Sequence, residues 1–213
     1  PIQHLDLIIS RLHTEQNKAY DFVIQKSKEK HPELNEPREG IQYTVIDAPE
    51  QALNIVYPHE NIDSGDLDYK ALFGKTGLGR VMLYDKETKK QFKYTKKTLE
   101  KFGRIFSSDD GEESPLRKYS AKIYSIIDTI KKSEGIILVY SSYIDGGCVP
   151  IALALEEIGI TRYGDRNKSL FETPPKPSIG KYVMITGDKQ LSPSNKKELR
   201  VCTDPENING EKV

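Results

Sequence analysis

The sequence lacks the features that define several large protein classes. No apolar run approaches the roughly 18 residues that a membrane-spanning helix needs, so we expect no membrane partner. Acidic and basic residues number 32 each, so the net charge is zero and no strong nucleic-acid field over the whole surface is implied. The two cysteines, Cys148 and Cys202, belong to no C-x-x-C pair. The sequence therefore predicts no metal site and fits a reducing, intracellular setting.

The stretch DYKALFGKTGLGR, residues 68–80, contains only part of a phosphate-binding motif. Gly74-Lys75-Thr76 matches the end of a P-loop, but the pattern needs a glycine five positions before Gly74, where Tyr69 stands. The residues before it also lack the continuous β-branched run of a buried parallel strand. We therefore expect no ATP cradle here, no catalytic residue, and no ATPase activity in this chain alone.

The first half of the chain gives mixed secondary-structure signals. Apolar residues at helical spacing predict a helix over 10–31. Alternation predicts strand character within 41–57 and a hairpin over 80–94, and a short helix is predicted within 98–106. This part is predicted to be a mixed α+β segment.

An acidic stretch, SSDDGEESP at 107–115, has the composition of a flexible linker. We therefore place a domain boundary there. Residues 1–113 are interpreted as a linker or insertion segment with a helix and a hairpin, and residues 114–213 as a separate domain.

The second half has a regular alternation of helix and strand signals. Ser114-Pro115 is an N-cap followed by proline, and isoleucines at i, i+3, i+4 and i+7 follow it. Continuous apolar runs predict buried strands at 136–141 and 182–187, with a helix at 148–158 between them. The predicted class is α/β, with the two strands as parallel neighbours in a partial sheet and helices on its faces.

Two loops at the predicted strand ends are candidate binding sites, because ligands of α/β sheets bind beyond the carboxyl ends of the strands. The first offers hydroxyls and glycines before a helix, and the second a hydroxyl, a glycine and a lysine. Such groups can hold the phosphates of DNA or RNA. The alternative is that both loops are ordinary turns that cap helices. The candidate residues are Tyr140, Ser141, Ser142, Gly187 and Lys189.

Other reactive groups have simpler interpretations. Cys148 begins a predicted helix, but all four histidines lie in the first half, so we interpret it as a packed cysteine. Glu156 and Glu157 come late on a helix whose other face is apolar, and we interpret them as solvated charges.

A lysine-rich block, KETKKQFKYTKK at 86–97, interleaves Phe92 and Tyr94. It has two interpretations that the sequence leaves open. It could contact nucleic-acid phosphates, or its lysines could protect an exposed edge strand from aggregation.

Residues 118–164 resemble the opening of the second RecA-like domain of superfamily 2 helicases, and most of all the Swi/Snf-type helicases of large DNA viruses. In that family a strand ends in an aromatic residue and serine, matched by Tyr140-Ser141, and a later helix ends in Leu-Glu-x-x-Gly, matched by 155–159. Tyr182 to Gly187 and Asn207 to Gly210 are similar to the segments that lead towards motif V. HTEQNKAYDFV upstream resembles the segment after the first RecA-like domain.

The resemblance implies a fragment of an ATP-dependent helicase or translocase, a viral origin and a link to transcription, with the virion or host cytoplasm as its location. ATP and magnesium would bind in the full-length enzyme, between this lobe and the first RecA-like domain, and not in this fragment. The stretch 68–80 would be an inserted loop. The chain begins without methionine and ends at NGEKV, as expected of a fragment. The alternative is a non-enzymatic interaction or structural module on an α/β scaffold.

Overall fold

The computed structural model describes residues 5–31, 43–85, 87, 91–164 and 169–213. About half of it is helical. The helices of the described residues are α1 (Thr14–Lys30), α2 (Tyr43–Asn54), α3 (Gly74–Val81), α4 (Lys96–Phe102), α5 (Pro115–Tyr119), α6 (Ala121–Lys132), α7 (Val149–Glu157) and α8 (Asn195–Cys202). The strands are β1 (Met82–Leu83), β2 (Lys93–Tyr94), β3 (Ile160–Arg162) and β4 (Gly180–Tyr182).

The N-terminal helices pack on a short 3₁₀ helix at Tyr69–Leu72. The predicted helix over 10–31 is confirmed as α1. The predicted strand within 41–57 is wrong, because that segment forms α2. Gln16 of α1 is fully buried and donates from Nε2 to the carbonyl of Ala52, 3.2 Å away. Ala19 and Val23 of α1 also pack in one cluster with Ala52 of α2, so the helical form of α2 buries an apolar face against α1.

The two sheets are small. In the first, β1 and β2 pair antiparallel, with Met82 opposite Tyr94, which confirms the predicted hairpin. In the second, β3 and β4 pair parallel, with Ile160 opposite Gly180. The chain is therefore of mixed α/β content, with a small parallel sheet.

The predicted pairing of 136–141 with 182–187 is wrong. Residues 136–141 form no strand, and of 182–187 only Tyr182 belongs to one. Helix α7 precedes β3 instead of connecting two paired strands. A strand requires a hydrogen-bonded partner strand, and among the described residues no backbone hydrogen bond reaches 136–141. An apolar, β-branched composition alone does not supply that partner.

The helices around the later candidate site agree with their local signals. Ser114 Oγ accepts from the backbone N–H of Arg117 at the start of α5, as the Ser-Pro pair predicts. Ser120 caps α6 in the same way, and Ile123 and Ile127 of α6 are buried. Helix α7 has proline in its first turn, and Gly159 follows it with φ +93°.

The larger hydrophobic cluster includes side chains from both sides of the boundary placed after residue 113. Met82 and Phe92 pack in the same cluster as Ile127 and Leu153, and Phe106 joins them. Within the acidic stretch, the serines at 107 and 108 are buried while 110–113 are exposed. The division into 1–113 and 114–213 stays a prediction.

None of the helices in the described residues combines the length and apolar character needed to cross a membrane.

Candidate nucleic-acid interface

The first candidate loop is built tightly into the start of α7. A π-helical turn at Ile144–Cys148 leads into α7. A side chain at Gly147 would clash with its neighbours, because a Cβ there would lie 3.0 Å from Ser141 Cβ and closer still to Ser141 Oγ. Tyr57, fully buried, donates its hydroxyl to the carbonyl of Asp145 at 3.3 Å. The two glycines therefore allow the loop to fold back on the helix that it precedes.

The Ser141 hydroxyl stabilises the turn that follows residues 136–140. Its Oγ accepts from the N–H of Tyr143 and donates to the same residue's carbonyl, both at 3.2 Å. The hydroxyl of Tyr143 donates to Glu50 of α2 at 2.6 Å. Burial, with the nearby carboxylates of Glu50 and Asp47, raises the pKa of Tyr143, so its hydroxyl stays protonated. The loop is thereby fixed to a helix 93 residues away in sequence.

A cleft of about 330 Å³ opens between this loop, α2, α6 and the start of α7. Three of the five candidate residues, Tyr140, Ser141 and Ser142, line it. Tyr140 is 85% exposed. Lys122 and Asn54 also line the cleft, with Lys122 Nζ donating to Asn54 Oδ1 at 2.7 Å. The cleft thus joins hydroxyls, an ammonium group and an exposed aromatic ring.

Sequence reasoning missed the residues of α2 and α6 that complete this cleft. Lys122 and Ile126 are four residues apart on α6, so the helical pattern places them on one face and could have identified them. Glu50, Leu53 and Asn54 lie on α2, which was predicted to have strand character. The helical periodicity of apolar residues in α2 could have placed them there, but this segment was interpreted as a strand.

The second candidate loop uses most of its polar groups internally. Asp188 Oδ1 accepts from the N–H groups of Gln190 and Leu191, at 2.9 and 3.2 Å. The Thr186 hydroxyl contacts Ser192 Oγ at 3.0 Å, and its carbonyl accepts from Asn195. These contacts are those of a capped turn, which was the alternative interpretation. Gly187 and Lys189 remain exposed.

The cleft takes its lining from the first loop and not from the second. In the described part of the chain, Tyr140, Ser141 and Ser142 line it, whereas Gly187 and Lys189 do not. The expected proximity of the two loops depended on the pairing of 136–141 with 182–187, which does not form. A site that combines both loops therefore stays a prediction.

The interpretation of Glu156 and Glu157 as solvated charges is wrong, because both side chains are fully buried. Glu156 accepts from the N–H groups of Leu170 and Phe171 at 2.8 and 3.0 Å, from Tyr182 at 2.9 Å and from the Ser169 hydroxyl. The partners come from a segment that lies against the C-terminal end of α7.

Glu157 forms an ion pair with Arg104 and a hydrogen bond with Tyr94. Arg104 donates to it through Nε at 3.3 Å and Nη2 at 2.5 Å, and the Tyr94 hydroxyl donates at 2.7 Å. Burial raises the pKa of Glu157, although the hydrogen bond from Tyr94 and the charge of Arg104 oppose the increase. The role of both carboxylates is to fix the core around the end of α7.

The lysine-rich block offers no aromatic ring for base stacking. Phe92 and Tyr94 are 1% and 8% exposed and belong to the larger cluster. Lys93 lies 3.4 Å from Glu172, and Lys97 lies 3.1 Å from Glu60. Residues 86 and 88–90 lie outside the described residues. The described lysines of the block thus face carboxylates of the same chain.

The stretch 68–80 is not an inserted loop, since it forms the 3₁₀ helix at 69–72 and most of α3. Gly74 has φ +55° and begins α3, so Gly74-Lys75-Thr76 does stand at a helix start. No strand leads into it, however, and a Cβ on Gly74 would lie 2.6 Å from Gln51 Oε1. A cavity of about 280 Å³ opens at this helix start, lined by Lys70, Gly74, Lys75 and Thr76 among others, but the described residues before it do not form the strand that a P-loop follows.

The cysteines and the acidic residues provide no further site. Burial raises the pKa of the Cys148 thiol, which disfavours a reactive thiolate. In the described ranges, no group of three or more histidine, cysteine or carboxylate side chains could hold a metal ion.

Comparisons with known proteins assign no family. No protein-family model, curated protein or solved structure matches the chain. The resemblance to superfamily 2 helicases therefore stays a prediction.

Proposed function

We propose that this chain is part of an ATP-dependent nucleic-acid helicase or translocase and that it contacts the backbone of a DNA or RNA strand. The observation that supports this most is the cleft, because three residues singled out from the sequence line it together. Ser142 and Lys122 are both exposed and both line the cleft, so a hydroxyl and an ammonium group are available to a phosphate.

The proposed role of this chain in the intact enzyme is binding and orientation. A RecA-like lobe made from this chain would need the sheet to extend beyond the two parallel strands β3 and β4. Bound ATP would supply the free energy for moving two lobes relative to each other. The residues of this chain would hold the strand through contacts that do not depend on base sequence.

Fluorescence anisotropy with a labelled single-stranded 12-mer, as DNA and as RNA, tests this proposal. We expect dissociation constants of about 10⁻⁴–10⁻⁶ M that rise with salt, as for non-specific binding. Ser142→Ala combined with Lys122→Ala should weaken binding by about 1–3 kcal/mol. Lys101→Ala is the matched control, because it removes the same charge from α4, and it should change affinity little.

Two results would contradict the proposal. One is the absence of salt-dependent binding to both 12-mers. The other is a Lys101→Ala variant that loses as much affinity as the double variant, because binding would then depend on charge alone. Lys189→Ala separately tests whether the second loop contributes.

A non-enzymatic interaction module is the second candidate, and one observation favours it. The apolar side chains of 136–140 are exposed, with Leu138 at 91%, and no backbone hydrogen bond from the described residues reaches the segment. An unpaired apolar segment can add a strand from another chain. The partner that we test is a second copy, because the segment carries no charge to repel itself.

Light scattering after size-exclusion chromatography distinguishes this candidate. A dimer that Leu138→Asp dissociates would support it. A monomer at all accessible concentrations would remove it and leave the nucleic-acid proposal unaffected.

A further inference from the structure

The lining of the cleft is more apolar than phosphate binding requires. Leu53 of α2, Ile126 of α6 and Ile151 of α7 line it together with the polar residues, and Ile151 is buried. Phosphate oxygens gain nothing from aliphatic contacts, since a charged group loses solvation there. An apolar floor with a few polar groups is instead typical of sites for small organic ligands.

An exposed aromatic ring stands at the edge of the same cleft. Tyr140 lines it and is 85% exposed, whereas Tyr57, Phe92 and Phe106 are fully or almost fully buried. Nucleobases stack on such rings with little dependence on their identity. Tyr140 thus offers a stacking surface next to an apolar recess.

The rim presents both donors and acceptors. Asn54 Oδ1 accepts from Lys122, which leaves the amide nitrogen of Asn54 pointed at no described acceptor. Glu50 uses Oε2 for the Tyr143 hydroxyl, and Oε1 is an additional acceptor. The edge of a heteroaromatic base carries donors and acceptors that can pair with such groups.

The size of the cleft limits the ligand. A volume of about 330 Å³ lies at the lower end of the range for ligand pockets. It suits one small planar group and not a row of stacked bases.

We propose that the cleft takes a single unstacked nucleobase of a DNA or RNA strand, stacked on Tyr140 and in contact with Ile126 and Ile151. This inference rests on the proposed function, because the strand's phosphates would be held by Ser142 and Lys122. It adds a base-dependent contribution to binding that the backbone contacts do not provide.

The test compares two labelled 12-mers with the same number of phosphates, oligodeoxyadenylate and an abasic strand, at one salt concentration. Base stacking is worth about 1–3 kcal/mol per base, so the wild-type chain should bind oligodeoxyadenylate about 5–150-fold tighter. Tyr140→Ala should abolish this difference, and Tyr140→Phe should retain it because the ring remains. Ile126→Phe, which narrows the recess, should reduce the difference and leave the salt dependence unchanged.

The controls separate this inference from the function on which it rests. Thermal unfolding of each variant should match wild type, because Tyr140 is exposed and Ile126 is only partly buried. If the abasic strand binds as tightly as oligodeoxyadenylate, the inference is overturned while the backbone-binding proposal stands. If neither strand binds, both are overturned. If Tyr140→Phe loses the preference as fully as Tyr140→Ala, stacking on this ring is refuted.

Discussion

Helix α7 ends at two buried carboxylates, and it begins after a loop in which Ser142 and Tyr140 are exposed. At the C-terminal end, Glu156 and Glu157 have hydrogen-bond partners within the fold. At the other end, Ser142 and Tyr140 are exposed beside a cleft. Buried polar groups must be paired, and paired groups are no longer available to a ligand. The comparison therefore assigns a stabilising role to one end of α7, and the proposed binding site lies at the other end.

The largest effect is expected from Glu156→Ala. The change leaves the N–H groups of Leu170 and Phe171 and the Tyr182 hydroxyl without their acceptor, and each unpaired buried donor costs about 1–3 kcal/mol. We expect the free energy of unfolding, measured in urea, to fall by at least about 3 kcal/mol. The matched control is Glu50→Ala at the open end of α7, which should cost less than about 1 kcal/mol. Equal losses would break the comparison.

Gly147→Ala should have the next largest effect, because the added Cβ would collide with Ser141. We expect a loss of about 1–3 kcal/mol in thermal unfolding, typical of overpacking. Gly187→Ala is the control: a Cβ there would meet nothing within 4 Å, so stability should hardly change. Ser141→Gly in the Gly147→Ala background should restore part of the loss. An unaffected Gly147→Ala protein would mean that the loop does not pack as described.

A smaller effect is expected from pH. Burial raises the pKa of Glu157 above its usual 4.5, so the folded chain keeps this proton to higher pH than the unfolded chain. The contribution of Glu157 to stability is therefore greatest below about pH 4.5 and declines as pH rises to the raised pKa. Urea unfolding across this range should show the decline in the wild type relative to Glu157→Gln. A difference that is constant with pH would contradict the assignment.

The smallest effect is expected from Leu138→Asp. Leu138 is 91% exposed, so the free energy of unfolding of the monomer should change by less than about 0.5 kcal/mol. Leu153→Ala, at a fully buried leucine of α7, should cost about 2–5 kcal/mol. Chemical denaturation of both variants measures these changes in the free energy of unfolding. A large loss at Leu138 would show that 136–140 is covered in solution.

Local sequence signals allowed most helices to be predicted. The errors lie where the structure depends on contacts between residues distant in sequence. The cap at Ser114 and the buried face of α6 involve residues within four positions of each other. The segment 136–141 has strand composition, but pairing depends on a remote partner. For the same reason the burial of Glu156 could not be foreseen, because its partners at 169–171 and Tyr182 lie 13 to 26 residues away.

The candidate site was predictable to a similar extent. Tyr140, Ser141 and Ser142 were found because hydroxyls and glycines precede a helix start. Asn54 and Leu53 were not found, because the segment that forms α2 was interpreted as a strand. The second loop contains groups of the right type, but the side chains of Asp188 and Thr186 form hydrogen bonds within their own turn.

Gln16 imposes an order on the assembly of the chain during synthesis. Its Oε1 accepts from the backbone N–H of Ala121, 105 residues later, at 2.9 Å, while its Nε2 donates to Ala52. At typical translation rates this acceptor waits roughly 5–20 s for its donor to be made. Until then α1 can dock on α2 but cannot reach α6. The nascent N-terminal helices would be exposed to proteases and chaperones throughout that interval.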